Sequence, residues 1–286
     1  MQNISVIIPA YNEAENIGLV FEGLKNYIQA GSEVIIVDDS STDDTAGISL
    51  KYGVKVIKHP YRMGNGACII SGIREANGDI LVFMDADGQH NPMDIDILLK
   101  YMPEFDMVVG ARDKASFPIF HRKLANKFYN MFASYVTRFK VEDLTSGFRA
   151  VKKGIAKKFL YLLPNNFSYP TTLTLAALRT GRPVKYISIK AVNRKKGKSK
   201  INIISDGVRF LLIILKIAVL FSPLRVFLPV SFLFLAIGLG YYGYTYINFH
   251  RFTNMAALLI MNSVIIFMLG LVAEEISDLR FDRSEG

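Results

Sequence analysis

The chain has 286 residues, 51% of them hydrophobic, which is enough for a substantial core and too apolar for a disordered polypeptide. Its formal net charge of +9 suits an acidic partner, but no recognisable nucleic-acid module accompanies it. Cys68 is the only cysteine, which excludes an intrachain disulfide and a cysteine-based zinc site.

In chain order, Ile4 to Pro9 predicts a first strand, because the residues before it offer neither a basic segment nor the long apolar run of a signal peptide. Further apolar, β-rich runs follow at Val34 to Val37, Val54 to Ile57, Ile80 to Met84 and Met107 to Val109, with helical stretches between them. Continuous apolar strands are covered on both faces, and alternation with helices predicts a doubly wound, mostly parallel α/β sheet. Such a sheet binds ligands at the carboxyl ends of its strands. This domain is expected to occupy residues 1–192.

Residues 193–223 open with a basic run, Arg194, Lys195, Lys196, Lys198 and Lys200, suited to anionic headgroups. From Ile203 to Phe221, Asp206, Arg209 and Lys216 share one narrow helical face and leave a wide apolar one. An interfacial helix is expected there, with a buried helix and a third span as alternatives. Leu224 to Tyr246 and Asn254 to Ala273 are uncharged apart from Arg225 and each runs for about 20 residues, long enough to cross a bilayer. Residues 224–273 thus predict a transmembrane hairpin and residues 274–286 a tail. Arg209, Lys216, Arg225, Arg280 and Arg283 against the single Arg251 of the hairpin loop place both termini and the α/β domain in the cytoplasm.

Three predicted strand ends carry polar clusters: Pro9-Ala10-Tyr11-Asn12-Glu13, Asp38-Asp39-Ser40-Ser41-Thr42-Asp43, and Asp85-Ala86-Asp87-Gly88-Gln89-His90. For Ser41, Thr42, Asp43 and Asp44, helix capping is the simpler explanation. Chance alone gives about one Asp-x-Asp pair in a chain of this composition, and Asp94-Ile95-Asp96 after Asn91-Pro92 reads as a helix start. Asp85 and Asp87 differ, since they follow an apolar strand and precede Gly88. Two carboxylates there suit Mg²⁺ or Mn²⁺ bridging a diphosphate. Gly64-Asn65-Gly66 is not a dinucleotide fingerprint, and either starts a helix or contacts a ligand; no Walker-type loop occurs.

These blocks, with Gly110-x-Arg112, Asp143-x-Thr145-Ser146-Gly147-Phe148-Arg149 and Arg194-x-x-Gly197-x-Ser199-Lys200, occur in an order that resembles the GT-A, family 2 glycosyltransferases, in their polyprenyl-phosphate (dolichol-phosphate mannose synthase-like) branch. The chain has no Trp, so the Gln-x-x-Arg-Trp motif of the processive members is absent. The resemblance implies that Pro9, Tyr11, Glu13, Asp38, Asp39, Ala86 and Gln89 contact a nucleotide-sugar, and that Asp85 and Asp87 hold the metal and diphosphate. Arg194 and Lys200 would cover that diphosphate. Arg112, Arg122 and Ser146 would receive the phosphate of an undecaprenyl or dolichyl acceptor, with Asp143 orienting an arginine or acting as a base. It implies inverting transfer of one sugar at the membrane and is compatible with a homo-oligomer. The segment between Arg112 and Arg122 is shorter than the glycine-rich one of many dolichol-phosphate mannose synthases, which leaves the donor open between UDP- and GDP-hexoses. A different lipid acceptor, or a membrane scaffold that retains the fold, are the alternatives.

Overall fold

The computed structural model describes residues 3–112, 120–165, 168–190, 212, 215–220 and 222–285; for 120–126 and 280–285 it describes the backbone only. Two compact units divide the chain, residues 1–213 and 214–286.

The first unit is built on seven strands: β1 (Ile4–Ala10), β2 (Glu33–Asp38), β3 (Lys55–Lys58), β4 (Ile80–Phe83), β5 (Met107–Arg112), β6 (Arg149–Lys152) and β7 (Val184–Ile189). They form one sheet in the order β3-β2-β1-β4-β6-β5-β7. All pairings are parallel except those of β6, which runs antiparallel to both β4 and β5. The first five strands fall where the apolar runs predicted them. β6 and β7 escaped the sequence reading, because β6 is short and starts on an arginine and β7 is broken by Lys185 and Ser188 and buried only at its ends.

Every residue of β1 is buried, as expected of a strand sandwiched between helical layers. Helix α1 (Ala14–Gln29) places Ile17, Val20, Phe21 and Leu24 at the i, i+3, i+4, i+7 spacing of one inward face, and they join Val6, Ile8, Val34 and Ile36 in the core. Fully burying side chains of this size contributes roughly 1.5–3 kcal/mol each. Helices α2 (Thr45–Lys51), α3 (Asn65–Glu75), α4 (Ile95–Lys100), α5 (Phe120–Thr137), α6 (Lys153–Lys158) and α7 (Tyr169–Arg179) complete the layers. On α3, Gly72 faces Ile7 so closely that a Cβ would collide with it.

Asn91 and Pro92 open a single 3-10 turn before α4, with the Asn91 side chain accepting from Met93 N. This agrees with the reading of Asp94 and Asp96 as part of a helix start.

The second unit is a helical hairpin of α8 (Leu224–Phe249) and α9 (Asn254–Glu285). Both are long and apolar enough to cross a membrane. Helix α9 does not end near Ala273 but continues through the expected tail, and Glu274 accepts a hydrogen bond from Leu224 N at 2.9 Å, capping the start of α8. Ser231 donates to Ser263 O at 2.8 Å, and Gly238 and Gly270 let the two backbones approach. Of the predicted interfacial helix, residues 215–220 are helical and most of the remainder lies outside the described residues.

Candidate active site

Because β1, β2, β3 and β4 run in one direction, the loops after them converge on one rim. An open cleft of about 780 Å³ is lined there by Pro9, Tyr11, Glu13, Asp39, Asp85, Ala86 and Asp87, seven of the residues expected at a nucleotide-sugar site. Arg62, Gly64, Asn65 and Cys68 share its wall. Of the four residues expected as helix caps, Asp43 bonds helix-start N–H groups, whereas Asp44 stands at the N-cap of α2 without a side-chain bond. Asp43 accepts from Ala14 N at 3.1 Å and from Thr45 N at 3.1 Å, while Ser41 and Thr42 tie down Asn12, whose φ is 54°.

Asp39 anchors the next loop. Its oxygens accept from Met63 N at 2.7 Å and Gly64 N at 2.8 Å, and pair with His59 Nδ1 at 2.9 Å. His59 Nε2 in turn meets Ser71 Oγ at 3.0 Å. Burial would raise the Asp39 pKa, but the His59 bond and the two backbone donors outweigh it, so the carboxylate sits below its ordinary range. Gly64 reaches Asp39 with φ 101°, a conformation that favours glycine, and Gly66 packs so tightly on Pro164 O that a Cβ there would collide. Gly64 thus lines the cleft, whereas Gly66 serves helix packing.

Asp38 does not share this position. Successive residues of an extended strand point to opposite sides, and Asp38 is fully buried with Oδ1 accepting from Ser41 N at 3.0 Å. Asp38 is thus absent from the cleft lining, and its buried Oδ2 has no hydrogen-bond partner among the described residues.

Two groups of side chains come into question for a cation. Asp39, His59 and Cys68 lie within 4.8 Å of one another. They fit one poorly, since Asp39 is already committed to three donors, and burial and the Asp39 charge push the Cys68 thiol up, keeping it protonated. Asp85 and Asp87 fit better as a hard-oxygen pair open to the cleft. The Asp85 side chain is 35% exposed and lies 3.8 Å from His90 Nε2, whose ring stacks on Phe148 with centroids 5.1 Å apart. Burial works against the Asp85 charge, but His90 and the positive fields of Arg112 and Arg149 hold its pKa down. Gly147 matters here because a Cβ would stand 2.9 Å from Asp85 Oδ2. Gln89 contributes its backbone N–H to Asp87 Oδ1 at 3.1 Å.

Asp85 and Asn65 also line a second, adjoining cavity of about 390 Å³, walled by Thr145, Gly147, Ser168, Tyr169, Pro170 and Thr171. Its Thr145 wall connects to Arg112, whose Nε donates to Asp143 Oδ2 at 2.8 Å and whose Nη2 donates to Asp143 Oδ1 at 3.0 Å and to Thr145 Oγ1 at 2.5 Å. Burial alone would raise Asp143, yet the Arg112 guanidinium and the Arg112 and Thr145 hydrogen bonds hold it below the usual carboxylate range. That environment orients Arg112 and makes Asp143 a poor proton acceptor.

Ser146, expected at the acceptor phosphate, is fully buried and donates to Gly110 O at 2.6 Å, bracing the corner. Arg149, beside it, is fully buried with its guanidinium on Ser146 O, Pro170 O and Thr174 Oγ1. Arg122 stands in the first turn of α5, with its side chain outside the described residues, as are Arg194 and Lys200 entirely.

The sequence reading missed Arg62 and His59, while Asn65, left open between helix start and ligand contact, opens α3 and lines the cleft. Arg62 holds its guanidinium 4.4 Å from the Tyr11 ring centroid, over a ring expected at the nucleotide-sugar site. The available signal was position, since His59 to Gly64 follow β3 and so fall on the same rim.

Known proteins share these features. Residues 5–160 match the family described as Glycosyl transferase family 2, and residues 222–279 match the GtrB C-terminal hairpin. An uncharacterized protein of Methanocaldococcus jannaschii is 30% identical over 73% of this chain and 89% of its own length. A dolichol-phosphate mannosyltransferase of Pyrococcus furiosus is 36% identical over 54% of this chain, which corresponds to 47% of that protein. An undecaprenyl-phosphate mannosyltransferase of Micrococcus luteus is 27% identical over 70% of this chain and 87% of its own. Among solved structures, glucosyl-3-phosphoglycerate synthase of Mycobacterium tuberculosis, in complex with Mn²⁺, UDP and phosphoglyceric acid, superposes with a TM-score of 0.63 at 19% identity, covering 76% of this chain and 78% of the other. With its GT-A-like sheet, its cleft at the strand ends and its membrane-associated hairpin, the chain belongs to glycosyl transferase family 2 and is a glycosyltransferase.

Proposed function

We propose that the enzyme transfers a single hexose from a UDP- or GDP-sugar to a polyprenyl phosphate at the cytoplasmic membrane face, with inversion at the anomeric carbon. The observation that carries this reading is the place of Asp85 in the wall of two adjoining cavities, one lined by the predicted nucleotide-sugar residues and one lined by Thr145, which bonds Arg112. Relatives named for dolichol phosphate and undecaprenyl phosphate support the acceptor class, and the hairpin supports a lipid-borne one.

In this reading Tyr11, Glu13 and Asp39 receive the nucleoside and Arg62 closes over it. Asp85 and Asp87 would hold Mg²⁺ or Mn²⁺, which supplies neutralising charge to the departing diphosphate. Arg194 and Lys200 would add to that charge from residues 193–223. An acceptor phosphate is already anionic at neutral pH, so it needs alignment more than deprotonation. Arg112, fixed by Asp143 and Thr145 through Nε and Nη2, provides an oriented positive charge for it, with Arg122 as a second cation. Residues 1–192 would carry the chemistry and residues 224–273 the anchor, with the inverting outcome following from a single displacement.

The test is an assay of the purified full chain with undecaprenyl and dolichyl phosphate, Mg²⁺ or Mn²⁺, and a panel of UDP- and GDP-hexoses. The expected product is a prenyl-phosphate sugar from one donor, abolished by chelation. No metal-dependent lipid product from any donor, or equal transfer to a neutral lipid such as diacylglycerol, overturns the proposal.

A further inference from the structure

The smaller cavity beside Asp85 holds two hydroxyls that the fold does not use. Ser168 and Thr171 stand in its wall and are 4% and 0% exposed, yet neither Ser168 Oγ nor Thr171 Oγ1 has a hydrogen-bond partner among the described residues. A buried hydroxyl without a partner is destabilising, so each calls for a reason.

Helix capping does not supply one. Ser168 is the N-cap residue of α7, where a serine ordinarily accepts from an N–H of the first turn, but its φ of 87° is left-handed rather than extended and its side chain makes no capping bond. Non-glycine residues in that conformation cluster at ligand sites. Of the three threonines of α7, Thr172 donates to Ser168 O at 3.3 Å and Thr174 accepts from Arg149 at 2.8 Å, which leaves Thr171.

The wall selects a ligand chemistry. Among the described residues Asp85 is its one charged member, and no Lys or Arg lines it. Arg149, which reaches Pro170 O, is occupied there and with Ser146 O and Thr174 Oγ1. Pro170, at the start of α7, lacks the N–H that an anion at a helix N-terminus uses. A phosphate or carboxylate would meet no positive side chain in this wall, whereas hydroxyls that both donate and accept suit a neutral polyol. Position agrees with this chemistry. In a donor whose diphosphate sits at Asp85 and Asp87 the sugar is the next group along, and this cavity is the space that shares Asp85 with the cleft.

We infer that this cavity takes the donor's sugar ring and that Ser168 and Thr171 are specificity-determining residues, exchanging hydrogen bonds with ring hydroxyls of a neutral hexose. The inference rests on the proposed transfer from a nucleotide-sugar and narrows the donor to sugars without a carboxylate or phosphate of their own.

The test compares the full-length parent with Ser168→Ala, Thr171→Val and Thr171→Ser. The donors are UDP-glucose, UDP-N-acetylglucosamine, GDP-mannose and UDP-glucuronate, in transfer to undecaprenyl phosphate with Mn²⁺; inhibition by free UDP and GDP and thermal midpoints are measured alongside. Hydroxyls that bond nothing in the free protein add nothing to its stability, so Ser168→Ala and Thr171→Val should melt at or above the parent temperature. Each should lose about 5- to 100-fold in kcat/KM for the neutral donor that the parent uses, with inhibition by the matching free nucleotide unchanged. Thr171→Ser, which keeps the hydroxyl, should recover most of the Thr171→Val loss. A lower midpoint with equal losses for donor and free nucleotide marks a structural role and overturns the inference. Unchanged donor kinetics in both variants, or a parent that prefers UDP-glucuronate, overturn it while leaving the proposed transfer standing. A parent that transfers from no donor overturns the proposed function and this inference together, so the two failures are told apart.

Discussion

Removing Asp143 distinguishes a carboxylate that holds an arginine from one that takes a proton. The Asp143 side chain is 6% exposed and that of Arg112 is 25% exposed, and two charge-assisted bonds of 2.8 and 3.0 Å join them. Breaking a buried pair from one side costs about 3–5 kcal/mol. Because Arg112 retains some access to water, about 2–3 kcal/mol of stability is the appropriate range here, and if Arg112 contacts the acceptor the lost orientation should cost roughly 10²-fold in kcat/KM. Asp143→Ala and Arg112→Ala should each show a loss of this size, and the double variant should be no worse than Arg112→Ala, since the carboxylate then has nothing to orient. Steady-state kinetics with varied acceptor, repeated across pH, is the assay. A general base predicts a different pattern, with the two losses multiplying and the acidic limb of the pH profile disappearing in Asp143→Asn. Either result would refute the orienting role.

Asp85→Asn and Asp87→Asn should each lower kcat by about 10²–10³ while leaving the thermal midpoint near that of the parent, measured by a transfer assay and by scanning fluorimetry. Arg62→Ala removes the cation over Tyr11 and should raise KM for the nucleotide-sugar by about 2- to 30-fold with kcat little changed, the cation–π contact contributing about 0.5–2 kcal/mol. Gly66→Ala drives a methyl into Pro164 O and should destabilise the first unit by about 1–3 kcal/mol, visible as a lower thermal midpoint. Asp39 and Asp143 are both held below the ordinary carboxylate range, so the stability they contribute is present above the unfolded pKa of about 3.9 and is lost as pH falls through their folded values. Denaturant midpoints taken from pH 7 downward should therefore fall below about pH 4, and less steeply in Asp143→Asn.

Periodicity located the first five strands because each is an uninterrupted apolar run, and burial on both sheet faces demands such runs. The same rule could not find β6, whose four residues begin with the buried Arg149, or β7, whose apolar residues are interrupted by Lys185 and Ser188. Asp39, Asp85 and Asp87 were legible as site residues because they follow strands whose carboxyl ends must meet at one rim. Arg62 was not, since its relevance depends on standing over Tyr11, 51 positions earlier in the chain.

The amino-acid sequence by itself determined the α/β class, the rim and the two apolar helices, all of which follow from local patterns of residue type. Only the tertiary structure separated neighbours that look equivalent in sequence. Asp39 faces the cleft and Asp38 lies beneath it; Ser146 braces a carbonyl while Thr145 lines a cavity; Asp143 is consumed by Arg112. Each distinction rests on which side of the backbone a side chain leaves and on which distant donor has already claimed it, and that is set by packing between segments far apart in the chain.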